Sequence, residues 1–118
     1  MALEQPAFDL LKSLAPCRLL SLGVPDLLLT DEYDVKRVDN ERDLQKWHSW
    51  HSPIYDTAAL FHEFGIDATY IDNQQHKGNE VVADLNHDLT HTQFTNPYFG
   101  FKPFDVVLDP GSLEHCFN

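Results

Sequence analysis

Four short apolar runs, each closed by a glycine or a carboxylate, constrain this sequence more than any other feature. Residues 18–23 end on Gly23, and the runs over 68–72, 79–84 and 104–109 end on Asp72, Asp84 and Asp109. The runs lack a clean alternation of apolar and polar residues, which indicates strands of a parallel sheet covered on both faces. Because parallel strands share one carboxyl edge, where ligands bind in such sheets, the four closing residues are expected to lie along it.

Two helices are expected around these runs. Residues 7–14 carry apolar side chains at helical spacing, and Pro16 ends the pattern. Residues 58–64 form the second helix, with Asp56 or Thr57 as its N-cap and Gly65 at the C′ position. Residues 30–52 are polar and charged, and we interpret them as irregular with one helical stretch over 41–50.

The predicted order is strand, helix, strand, strand, strand. This order favours an α/β, Rossmann-like fold with a mostly parallel sheet of about four strands and helices on both faces. The chain has 118 residues, so residues 1–118 are expected to form a single domain.

Composition narrows the class of partner. Eight basic and nineteen acidic residues give 8 − 19 = −11 at pH 7, which excludes binding of nucleic acid or an anionic membrane through a basic patch. The two cysteines form no CxxC pair, and a cytoplasmic location is expected. No signal peptide and no membrane-spanning segment is predicted.

The last apolar run carries a resemblance to a known family. Residues 104–115, FDVVLDPGSLEH, resemble motif IV of class I S-adenosylmethionine-dependent methyltransferases. Residues 20–26, LSLGVPD, occupy the position of motif I in that family. The resemblance implies S-adenosylmethionine as cofactor and methyl transfer to an unidentified acceptor, and it begins at about residue 18.

The same resemblance assigns roles to individual residues. It implies that Gly23 lies under the methionine part of the cofactor, that Asp72 holds the ribose hydroxyls, and that the Asp84–Leu85 pair lies beside the adenine. The segment from Asp109 through Gly111 to Ser112 would border the methyl group. Glu114 and His115 are the candidate catalytic bases if the acceptor needs deprotonation.

Two departures from the family pattern open other possibilities. The motif I segment keeps one glycine, Gly23, whereas Ser21 stands in the usual acidic position and Pro25 has no N–H to donate. The resemblance covers only the first half of the family's seven-stranded domain, so a truncated sheet with an open edge is expected. That edge predicts a homo-oligomer, or a partner chain that completes the sheet.

Three functions therefore stay open: a methyltransferase-like protein, a non-catalytic binding or assembly module, and an acidic inhibitor of a basic partner. Histidines invite a metal interpretation at His48 and His51, and at His87 and His91, where HDLTH imitates a zinc motif. The residues around the second pair are poor helix formers, so no metal site is predicted.

Overall fold

The computed structural model describes residues 2–39, 42–75, 78–82 and 103–111. Its strands are β1 (Ala2–Glu4), β2 (Cys17–Leu22), β3 (Asp26–Leu28), β4 (Arg37–Val38), β5 (Ile54–Tyr55), β6 (Ile66–Asp72), β7 (Glu80–Val82) and β8 (Val106–Leu108). Its helices are α1 (Gln5–Ser13), α2 (Arg42–His48) and α3 (Thr57–Glu63).

In the described residues the main sheet has four strands, in the order β7-β6-β2-β8, and all of their pairings are parallel. Leu20 of β2 pairs with Thr69 of β6 on one side and with Val107 of β8 on the other. The predictions of an α/β fold and of a parallel sheet with about four strands are thus confirmed.

Proline, capping and glycine residues determine where helices α1 and α3 begin and end. Pro6 lies in the first turn of α1, where the missing N–H removes no hydrogen bond. Asp56 is the N-cap of α3, and its Oδ1 accepts the backbone N–H of Ala59 at 2.9 Å. Gly65 follows α3 with φ +76°, a left-handed conformation that favours glycine at the end of a helix.

The core lies between these two helices and one face of the sheet. Phe8 of α1 stacks on Phe61 of α3 at 6.2 Å between ring centroids, and Phe61 stacks on Tyr70 of β6 at 6.4 Å. Leu19 of β2 and Leu60 of α3 are fully buried in the same cluster. Since α1 and α3 contact each other, the two helices that cover the sheet in the described residues share one face.

Four short strands were not predicted. β1 pairs in parallel with β3, and β4, which lies inside the segment interpreted as irregular, pairs antiparallel with β5 just after that segment. α2 lies within the predicted helical stretch, and its Leu44 packs against Leu28 and Ile54 in a second, smaller core. The described part of the chain contains no helix whose length and apolar character would let it cross a membrane.

Candidate functional site

The strand register brings three of the predicted site residues to one edge of the sheet. We call it the carboxyl edge; it comprises the ends of β2, β6, β7 and β8. Gly23 follows β2, Asp72 is the last residue of β6, and Asp109 follows β8. Because β2 lies between β6 and β8, Asp72 and Asp109 are two strand spacings apart, roughly 10 Å along the edge.

The loop after β2 is folded back on the protein. Gly23 has φ +102°, a conformation that L side chains rarely adopt. The buried Ser21 hydroxyl donates to the Gly23 carbonyl at 2.6 Å, and the Thr57 hydroxyl of α3 donates to the Pro25 carbonyl at 2.7 Å. Val24 and Pro25 are buried. These contacts fix the direction in which the chain leaves the carboxyl edge, and they use two carbonyls of the loop.

Both acidic residues of the carboxyl edge organise their own turns. Asp72 is half-buried, and its Oδ1 accepts the backbone N–H of Asn73 at 2.7 Å. The exposed Asp109 accepts the N–H of Gly111 at 3.0 Å, and Gly111 has φ +124°. An ionised carboxylate has about four acceptor positions, and it is a type of group that accepts hydrogen bonds from hydroxyls.

Several predicted residues lie outside the described part of the chain: Asp84, Leu85, Ser112, Glu114 and His115 of the candidate site, and His87 and His91 of the zinc-like motif. His48 and His51 are both exposed. Within the described ranges, no group of three or more His, Cys, Asp or Glu residues is placed to hold a metal ion.

Arg18 positions β8, and sequence reasoning did not single it out. The Arg18 backbone N–H donates to Asp105 Oδ2 at 2.8 Å, and the Asp105 N–H donates to the Arg18 carbonyl at 2.8 Å. The guanidinium lies 5.1 Å from the centre of the Phe104 ring. These contacts fix the position at which β8 begins beside β2, and they therefore determine where Asp109 lies at the carboxyl edge. The available signals were Arg18 at the first position of one apolar run and Asp105 at the second position of another.

Two buried groups have perturbed ionisation. Burial raises the pKa of Tyr70, and the nearby Asp56 carboxylate adds to the shift. Burial likewise raises the pKa of the Cys17 thiol, with a further contribution from Asp105. Both groups therefore stay protonated at neutral pH, and Cys17 is a poor nucleophile.

Two cavities lie away from the carboxyl edge. One, of about 480 Å³, lies between α3 and β6 and is lined by Ala58, His62, Gly65, Ile66, Asp67, Ala68 and Tyr70; we call it the β6 groove. The other, of about 460 Å³, is lined by residues that include Glu4, His48 and Trp50.

Comparison with known proteins returns no match: no protein-family model, curated protein or solved structure is similar to this chain. The carboxyl edge is therefore judged by its own geometry and by the chemistry of its side chains.

Proposed function

We propose that this chain is a Rossmann-like protein that binds S-adenosylmethionine at the carboxyl edge of its sheet. The observation that carries the proposal is the strand order. The chain runs from the central β2 outward to β6 and β7, and then returns to the other side of β2 at β8. Such a reversal opens a crevice at the carboxyl ends of β2 and β8, and ligands of open α/β sheets bind at such a point.

The residues at this edge suit the cofactor in part. Asp72 offers carboxylate oxygens to the ribose hydroxyls, and Asp109 with Gly111 borders the crevice beside β2. Gly23 is buried, so its loop suits the cofactor less well than a glycine-rich loop whose N–H groups face the ligand. Asp84 and Leu85 are proposed to line the adenine, and Glu114 or His115 to accept a proton from the acceptor.

The bound cofactor would supply a methyl group activated by its sulfonium centre. The task of the protein residues is then to hold the acceptor in line with that methyl group and to exclude water.

Calorimetric titration with S-adenosylmethionine and S-adenosylhomocysteine tests the proposal. We expect binding of both ligands by the 118-residue chain, and a loss of at least about tenfold in affinity for Asp72→Asn, because a charged hydrogen bond is worth about 1.5–3 kcal/mol. Asp67→Asn is the matched control, since Asp67 lies near the opposite end of the same strand and its carboxylate is exposed. Equal affinity of the two variants, or no heat with either ligand, contradicts the proposal.

A second candidate function is a non-catalytic assembly module. The buried loop after β2 favours this second function, because Val24 and Pro25 pack inside the protein and are not exposed to a ligand. On the outer described strand, β8, Val107 is 63% exposed. Analytical ultracentrifugation at high protein concentration would then show an oligomer, formed by this chain alone or with a partner chain. The Val107→Lys substitution would dissociate that oligomer. A monomer at every concentration, with no effect of the variant, contradicts this function.

A further inference from the structure

Among the strands that the structure describes, none covers the outer backbone edge of the first half of β6. β6 runs from Ile66 to Asp72, but β7 pairs only with its last three residues, from Tyr70 onward. Within the described ranges, no strand pairs with residues 66–69 on the side facing away from β2. An edge of this kind leaves backbone N–H and C=O groups ready to pair with another extended chain.

The β6 groove lies beside the same stretch. Its cavity of about 480 Å³ is bordered by Ala58 and His62 of α3, and by Ile66 and Ala68 of β6. Ala58 and Ala68 carry only a methyl group, so the space next to the edge is left by small side chains. The open edge, which is a property of the backbone, and the cavity, which is a property of the side chains, therefore occur at the same place.

We propose that this edge binds an extended, basic peptide segment of a partner protein by strand addition, in the β6 groove. Residues 66–69 span about 13 Å at roughly 3.3 Å per residue, which matches a peptide of about four residues. Backbone hydrogen bonds to the edge would supply affinity, and alternate side chains would supply selectivity.

The register of an added strand determines which side chains it needs. Side chains at the same level of neighbouring strands lie on the same face. A peptide residue level with Ala68 therefore enters the cavity beside α3, where an apolar side chain such as valine fits. A residue level with Asp67 lies on the other face, next to a carboxylate that is 77% exposed.

Charge selects a basic peptide over a second copy of this chain. Asp67 lines the groove, and its carboxylate is 77% exposed. Arg18 contacts Asp67 at 3.6 Å, and His62 is the basic residue that lines the cavity. A second copy would bring another chain with a net charge of −11 to this edge, which is repulsive. Lysine or arginine at alternate peptide positions removes that repulsion.

Fluorescence anisotropy with a labelled peptide of alternating lysine and valine tests the proposal. The full 118-residue chain is titrated with this peptide and with the same peptide N-methylated at alternate residues, which keeps the charge but removes edge hydrogen bonds. We expect the methylated peptide to bind at least about tenfold more weakly, since it loses about two backbone hydrogen bonds.

The matched variants are Ala58→Lys, which fills the groove, and Ala7→Lys, an exposed position of α1 outside the groove. Both change the net charge from −11 to −11 + 1 = −10. Ala58→Lys is expected to weaken binding about tenfold and Ala7→Lys less than about twofold, with unchanged circular dichroism in both.

Three results overturn the proposal: equal binding of the methylated peptide, equal effects of the two lysine variants, or a dimer of the free protein that Ala58→Lys abolishes. The last would show that a second copy occupies the edge. The groove is independent of the proposed cofactor site, because it lies at the amino half of β6 whereas Asp72 lies at its carboxyl end.

Discussion

Removal of a single hydroxyl, in Tyr55→Phe, should destabilise the protein strongly. Tyr55 is 2% exposed, and its hydroxyl accepts the Tyr33 backbone N–H at 2.7 Å and an Arg37 guanidinium N–H at 2.6 Å. It also donates to the Asp31 carbonyl at 3.4 Å. The hydroxyl thereby connects β5 to the preceding loop, and phenylalanine keeps the ring packing while breaking every one of these bonds.

The magnitude follows from the three contacts. The Tyr33 N–H loses its partner at a cost of about 1–1.5 kcal/mol. The Arg37 bond adds about 1 kcal/mol, reduced because Arg37 is exposed, and the long contact to Asp31 adds little. The free energy of unfolding should fall by about 2–2.5 kcal/mol. At about 4 °C per kcal/mol for a chain of 118 residues, the Tm falls by roughly 10 °C.

Urea unfolding followed by circular dichroism measures this change, with Tyr70→Phe as the matched control. Tyr70 is also buried, but within the described residues its hydroxyl has no hydrogen bond, so its loss should cost less than about 1 kcal/mol near neutral pH. Tyr55→Phe should also couple to Arg37→Ala by about 1 kcal/mol in a double-mutant cycle. A loss below about 0.5 kcal/mol for Tyr55→Phe, or one equal to that of Tyr70→Phe, refutes the reasoning.

Three further predictions concern buried polar groups. Gln5→Leu should lower the free energy of unfolding, measured by urea unfolding, by about 2 kcal/mol, because the Gln5 side-chain carbonyl accepts the N–H groups of Thr30 and Asp31 at 3.0 Å each. The control Gln45→Leu, at an exposed position, should change stability little, and equal stability of the two variants refutes this prediction. The raised pKa of Tyr70 means that its phenol stays protonated in the folded state above pH 10, where the unfolded phenol ionises. The free energy of unfolding should therefore fall by up to about 1.4 kcal/mol per pH unit above pH 10, and Tyr70→Phe should reduce that slope. Identical pH profiles of the two proteins contradict this prediction. A Cys116→Ser variant leaves Cys17 as the single thiol. Its burial and raised pKa predict slow reaction with a disulfide reagent at pH 8 in the folded protein and fast reaction after unfolding. Equal rates for the folded and the unfolded protein would show that Cys17 is accessible.

The predictable part of the fold is the part with a strong local signal. β2, β6 and β8 come from apolar runs that turn residues close, and α3 comes from a capping aspartate and a following glycine. β1 has no such signal, because its three residues become a strand only by pairing with β3, more than twenty residues away. β4 and β5 have two residues each, too few for a periodic pattern, and they too depend on a distant partner.

The candidate site divides in the same way. The chain order and the closing residues of each run were enough to place Gly23, Asp72 and Asp109 at one edge, since parallel strands end together. The burial of the loop after β2 was not predictable, because it depends on the Thr57 hydroxyl, thirty-two positions away from Pro25. The open edge of β6 also had no sequence signal, since it results from the difference in length between β6 and β7.

The most direct test of the central claim is a map of backbone amide chemical shifts on addition of S-adenosylmethionine to the isotope-labelled protein. If the cofactor binds at the carboxyl edge, the amides of Gly23, Asp72 and Asp109 shift in proportion to occupancy, whereas those of Ile66 and Ala68 do not. Shifts confined to the β6 groove, or a spectrum that does not change at saturating cofactor, would contradict the claim.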